Sequence, residues 1–335
     1  LRYKSLDGLR GLAAYTVVIS HFGNSTDLFG AFTRGSGQIG VMLFFVLSGF
    51  LMSKRYIQTD FNGNAVLDFY LKRIARVIPL YIVVVLASYA MLSIQGYAWP
   101  LFRVTNDNVL NHLFFIKGES VLWTIPAEVQ FYFLFSLLWL IYSRFGVMIY
   151  LVVPLSISFI ASLGYPQSPA VLPFLPFFLL GLAASMIPAP HEHSSANVIF
   201  AVSLLGYFAI FPGVRMGAGL AGGLWFSPIC MFFFPALVFV STWSSVAERV
   251  LGNRVSRFFG NISYSVYLLH MPILICLGGT TIRQHPVLFL ALFISATTVL
   301  SWLSFRFIEI PCQRIIAGGS IRQRSSRLQS GKSLY

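Results

Sequence analysis

Apolar residues fall along this chain in long runs, separated by short polar or turn-rich stretches. A bilayer-spanning helix needs about 20 mostly apolar residues. Ten runs approach that length: roughly 8–24, 37–53, 76–95, 121–142, 146–163, 170–187, 197–212, 222–243, 259–278 and 286–308. The seventh is the shortest. Between runs lie GNSTD at 23–27, GYPQSP at 164–169 and PAPHEHSSAN at 188–197. Their Gly, Pro, Asn and Ser residues mark loops. The pattern predicts an all-α polytopic membrane protein with about ten transmembrane helices over residues 1–311, followed by a polar tail over 312–335.

Composition agrees. Of 335 residues, 57% are hydrophobic and 10% charged, against about 25% charged in soluble domains. Too few charges remain to cover a soluble surface of that size. The formal charge of +13 raises nucleic acid as a partner. The basic residues, however, sit at the ends of apolar runs, not in one patch, so membrane lipid is the expected contact. Lys and Arg also orient the spans. With a cytoplasmic N-terminus, only Arg34, Arg103, Lys117, Arg215 and Arg283 of the 23 basic residues face outward. Both termini are then cytoplasmic. The first run follows Arg2, Lys4 and Arg10 and has no small-residue cleavage site after it, so it reads as a retained helix. The three cysteines have no metal or disulfide spacing.

The first run is the informative one. DGLRGLAAYTVVISHF (7–22) carries Asp7, Arg10 and His21 in an otherwise apolar helix. His21 lies eleven positions after Arg10. At about 100° per residue they share one face, about 16 Å apart along the axis. A charge deep in a bilayer costs about 2.5–3.5 kcal/mol on insertion scales. Arg10 reads as a membrane-edge anchor or as an anion site, and His21 as a buried imidazole or as a reacting group. Their shared face favours one polar cavity. Gly8 and Gly11 would let a second helix approach closely.

Arg10, ten intervening residues and His21 resemble the arginine–histidine motif of the acyltransferase 3 family, integral membrane O-acyltransferases that modify bacterial surface glycans and related carbohydrates. SLDGLRGLAA (5–14), GVMLFFVLSGFLMS (40–53), RIARVIPLY (73–81), WTIPAEVQFYFLFSLL (123–138), ISYSVYLLHMPIL (262–274) and RFIEIP (306–311) resemble further family segments in order. The resemblance implies ten core helices in a bacterial cytoplasmic (inner) membrane. It implies a cytoplasmic acyl-CoA co-substrate, with acetyl-CoA the default and succinyl an alternative. It also implies transfer to a hydroxyl of a carbohydrate acceptor: a polysaccharide, a lipid-linked sugar or an oligosaccharide. Some relatives append a periplasmic hydrolase-like domain. None follows the tenth run here, so a second acyl-transfer step is expected to need another protein.

Other residues join on their own chemistry. Glu128 is expected about one turn into the outer leaflet, level with His21, where a carboxylate would orient the imidazole. It also reads as a carboxylate bonded to helix-end N–H groups. Arg73 and Arg76, three apart at the inner end of the third run, suit phosphate recognition, though they serve equally as interface anchors. His270 lies deep in the ninth run with Tyr267 one turn before it, and is expected to be structural or substrate-lining. Trp123, Tyr132 and Tyr264 are candidates to line a sugar path. His191, Glu192 and His193 supply too few ligands for a metal from one loop, so no metal is expected. Two chemical roles stand open for His21: general base towards the acceptor hydroxyl, or transient acyl carrier. A glycan or lipid transporter would also use polar mid-membrane residues and proline-broken helices, though no internal repeat is visible.

Overall fold

Each of the ten apolar runs folds as helix over most of its described length. The computed structural model describes residues 2–318, except 27, 30–32, 34, 96–101, 189–192, 218–223 and 226. Helix α1 covers Lys4–Ser25, α2 Gly37–Met52 and α3 Gly63–Gln95, followed by the short α4 at Val109–Leu113. Then come α5 (Thr124–Phe145), α6 (Ile149–Ser162), α7 (Leu175–Met186) and α8 (His193–Ala209). The chain closes with α9 (Pro228–Val240), α10 (Ser245–Leu251), α11 (Arg254–Gly278) and α12 (Pro286–Ser304). Among the described residues there is no strand.

Five stretches are long and apolar enough to cross a bilayer: Gly37–Ile57, Gly63–Ile94, Ser120–Phe145, Arg254–Gly278 and Pro286–Gly318. A sixth is available if α9 and α10, bent by 92° at their junction, act as one span. The chain is therefore a multi-pass helical membrane protein. Three further helical stretches, Val152–Ser162, Leu172–Met186 and Ser195–Ala209, are apolar but shorter than a span.

Helix α1 is not among the five, for a physical reason. Asp7, Arg10 and His21 lower its mean apolarity. It can carry them because it lies inside the bundle, packed along α11 and α2 and against α10. Its buried positions run from Ser5 and Leu6 through Gly11 and Thr16 to Ser20 and Gly23, on all sides of the helix. Small residues set the distances. A Cβ on Gly260 of α11 would collide with the backbone of Asp7, and one on Gly8 with the backbone of Leu251. The same device joins α2 to α7, where Gly49 abuts Phe178 and Gly181 abuts Val46, each backbone to backbone.

Helix α3 begins well before the apolar run at 76–95. Asn62 accepts a hydrogen bond from the Ala65 amide (3.0 Å), and Lys72 pairs with Asp68 at 2.5 Å, one turn apart. These contacts stabilise a polar entrance of three turns. Arg73 thus lies inside a continuous helix, not at its end. Two π-helical turns, Ser53–Ile57 after α2 and Phe305–Glu309 after α12, interrupt the α pattern. Helix then continues to residue 318, so 312–318 of the expected tail are helical. The remainder, 319–335, lies outside the described residues.

Candidate active site

Three cavities follow one another along α1. The first, about 680 Å³, opens at the N-terminal end of α1. Its walls carry six cations, Arg2, Arg10, Lys54, Arg55, Arg73 and Arg76, and two carboxylates, Asp7 and Glu309. Asp7 is already paired with Arg2 at 2.7 Å. Glu309 accepts a hydrogen bond from Ser265. The Nε of Arg73 is buried with no partner, and neither Arg10 nor Arg76 hydrogen-bonds to a described residue. Arg73 and Arg76 are brought onto one side of α3 by their spacing. Both π turns contribute, one through Lys54 and Arg55 and the other through Glu309. Such turns often mark functional sites. An excess of unpaired guanidinium groups fits a multiply charged anion such as a chain of phosphates.

The second cavity is a throat of about 60 Å³. It shares Arg10 and Arg76 with the first, and Val41 and Tyr267 with the third. Glu128 sits here. Its Oε1 accepts from Ser48 Oγ (3.1 Å) and from the Tyr132 hydroxyl (2.9 Å). Tyr264 and Tyr267 form the α11 wall. Their hydroxyls are spent on backbone, Tyr264 donating to the Val77 carbonyl (2.6 Å) and Tyr267 to that of Val121 (3.0 Å). These two bonds tie α11 to α3 and to the short helical turn Ser120–Trp123 that precedes α5.

The third cavity, about 980 Å³, contains His21. Trp123, Phe174 and Trp225 form an aromatic wall, with Trp123 and Phe174 ring centres 4.6 Å apart and Phe174 and Trp225 5.1 Å apart. Ser20, Asn24, Gln38 and Lys117 supply polar groups, and no carboxylate among the described residues lines it. The Gln38 Oε1 is buried without a partner. His21 and Asn24 also line a neighbouring cavity of about 460 Å³ with Arg283. His270 is fully buried beside His21, with ring centres 5.2 Å apart.

The sequence-derived set is thus divided. Arg10, Arg73 and Arg76 share the first cavity; Arg10, Glu128, Tyr264 and Tyr267 share the throat; His21, Trp123 and Tyr267 share the third. Tyr132 reaches the throat through Glu128. One expectation needs correction. Glu128 does not sit beside His21: the start of α5 places it at the level of Arg10, with Ser48 and Tyr132 as its partners. The imidazole beside His21 is that of His270. Sequence reasoning missed Lys54, Arg55, Ser48, Gln38, Asn24 and Trp225. The first two carried a signal, since a basic pair directly after an apolar run can face inward as well as outward. His191 and Glu192 lie outside the described residues. Among those described, no three His, Cys, Asp or Glu side chains converge as a metal site would require.

A helical membrane protein with a graded internal passage, cationic at one end and imidazole-bearing at the other, is the class defined by the fold and these cavities. The model of an acyltransferase domain family matches residues 3–306, and the chain belongs to that family, acyltransferase 3. It is 26% identical, over 94% of its own length and 58% of the relative's, to a protein of Staphylococcus aureus (strain COL) provisionally named an O-acetyltransferase. It is 27% identical to the O-acetyltransferase OatA of the same strain, over 92% of this chain and 57% of the relative. The chain therefore spans somewhat more than half the length of these relatives. No solved structure matches it.

Proposed function

We propose that this protein is a membrane O-acetyltransferase that moves an acetyl group from cytoplasmic acetyl-CoA to a carbohydrate hydroxyl on the far side of a bacterial inner membrane. In this reading all ten helical runs form the membrane core, with both termini cytoplasmic. The observation that carries it is the series of cavities that share residues, with Arg10, Arg73 and Arg76, free of any carboxylate partner among the described residues, at one end and His21 at the other. Arg73 and Arg76, with Arg10 behind them, bind the phosphates of the donor. Its thioester arm extends through the throat. The acceptor sugar lies against Trp123 and Trp225, where flat aromatic faces and amide groups suit its C–H and O–H surfaces.

The acceptor oxygen bonds to the thioester carbonyl carbon, and the C–S bond breaks. His21 takes the hydroxyl proton and returns it to the departing thiolate sulfur. Alternatively His21 carries the acetyl group between the two half-reactions. A transporter would have to pass the sugar ring itself, which is wider than an extended thioester arm, through the smallest of the three cavities.

The test is release of free thiol from acetyl-CoA by the purified chain, with and without added oligosaccharide. His21→Ala should abolish sugar-dependent release while the protein still inserts and elutes as a single species. Persistent transfer by that variant overturns the role of His21. An acetylated His21 peptide after rapid quenching distinguishes the carrier route from the base route.

A further inference from the structure

A neutral imidazole has one N–H and one bare nitrogen, and which is which depends on its neighbours. His21 has no hydrogen-bond partner among the described residues, so nothing yet described sets its tautomer. Glu128 is in the throat and cannot do so. The ring beside His21 belongs to His270 on α11.

His270 has a defined tautomer. Its Nδ1 lies 3.1 Å from the Val266 carbonyl oxygen, one turn back on the same helix. A carbonyl only accepts, so Nδ1 carries the hydrogen. In the neutral ring Nε2 is then a bare lone pair. That nitrogen is buried and has no partner, in a side chain 0% exposed. An unsatisfied buried acceptor costs about 1–3 kcal/mol, so each such group calls for an explanation. Two imidazoles joined by an N–H···N bond of about 2.9 Å have ring centres about 5 Å apart. The His21 and His270 rings are 5.2 Å apart and inclined by 44°. They need rotation to align, not translation, and catalytic hydrogen bonds often tighten only when substrate is bound.

We propose that His270 is a positioning residue for His21. Its Nε2 accepts the ring N–H of His21, which leaves the other His21 nitrogen bare and directed into the acceptor cavity. The same bond supports the imidazolium formed when His21 takes the acceptor proton. This rests on the role of His21 given above and extends it, because it names the group that makes His21 reactive.

The experiment compares His270→Gln with His270→Asn in the full-length chain. Gln can hold an acceptor near the position of Nε2, whereas Asn reaches only as far as Nδ1. His270→Asn should lower kcat about 10²-fold with the KM for acetyl-CoA unchanged, and His270→Gln should recover at least about tenfold of that. The second readout is independent of turnover. Carbethoxylation of His21 by diethyl pyrocarbonate, followed on its peptide by mass spectrometry, should slow in His270→Asn and recover in His270→Gln. Equal kcat and equal modification rates in the two variants, within about twofold, overturn the proposal. Should His270→Asn fail to elute as a folded species, a His270→Gln variant as inactive as His21→Ala overturns it alone. Activity that survives His21→Ala contradicts the proposed function itself, so the two failures are distinct.

Discussion

Glu128 is a carboxylate held by hydroxyls in a chamber that also contains two guanidinium groups. Ser48 and Tyr132 both donate to its Oε1, so the side chain supports structure as well as charge. Glu128→Ala should lower stability by about 1–3 kcal/mol, because the two donors lose their acceptor. Glu128→Gln keeps an acceptor and should lose less. Thermal unfolding of the solubilised protein, followed by tryptophan fluorescence, measures both, and equal midpoints would contradict this. Arg73 and Arg76 are the opposite case: neither pairs with a carboxylate among the described residues, and Arg73 lies over the Phe69 ring, 6.0 Å from its centre. The double change to Ala should weaken coenzyme A binding by about 10²-fold or more, read by titration calorimetry, and an unchanged affinity removes the phosphate site. The Arg10–His21 face and the Arg73–Arg76 pair were legible in the sequence because each lies within one helix, where spacing fixes geometry. The neighbour of Glu128 was not, because it depends on where α5 starts relative to α1 and α2, a tertiary quantity that no local pattern encodes.

At the level of elements, apolar run length was a sound guide to where helices lie and a weaker guide to what they do. Run 222–243 reads as one span, but the chain turns by 92° between α9 and α10. Ser244 forms the start of α10, its Oγ accepting from the Ala247 amide at 3.1 Å. A serine cap inside a hydrophobic neighbourhood is a short signal and is lost in a long window. The entrance of α3 was missed for the opposite reason, since its stability comes from Lys72–Asp68 and the Asn62 cap and not from apolarity. The fit of α11 on α1 leads to a direct prediction. Gly260→Ala forces a side-chain carbon into the Asp7 backbone. Overpacking costs about 1–3 kcal/mol where side chains can yield, and a backbone yields less. A marked fall in the thermal midpoint is expected. Gly63→Ala is the control, as nothing lies within 4 Å of its added carbon. Equal midpoints for the two variants would show that α1 and α11 are not tightly seated.

At the scale of the whole molecule, three cavities share residues along α1, and the middle one is the smallest. Ser48→Leu should fill the throat and stop transfer, while the cationic cavity still binds coenzyme A. Ser48→Ala, which breaks the bond to Glu128 but leaves the space, should remain active. Transfer by Ser48→Leu at the wild-type rate would mean the acyl group takes another path. The narrowness of that throat has a consequence for the cell as well as for the reaction. An open channel from one face to the other would dissipate the ion gradients on which a membrane depends. Room for only a few waters, in a throat walled by Phe44, Phe45, Tyr264 and Tyr267 as well as by Arg10, Arg76 and Glu128, leaves no continuous column of water for an ion to follow. In the proposed reaction a slender uncharged acyl arm threads this plug, whereas a hydrated ion must first shed its shell. Phe44→Ala combined with Phe45→Ala should therefore produce a conductance in planar bilayers that the unaltered protein lacks.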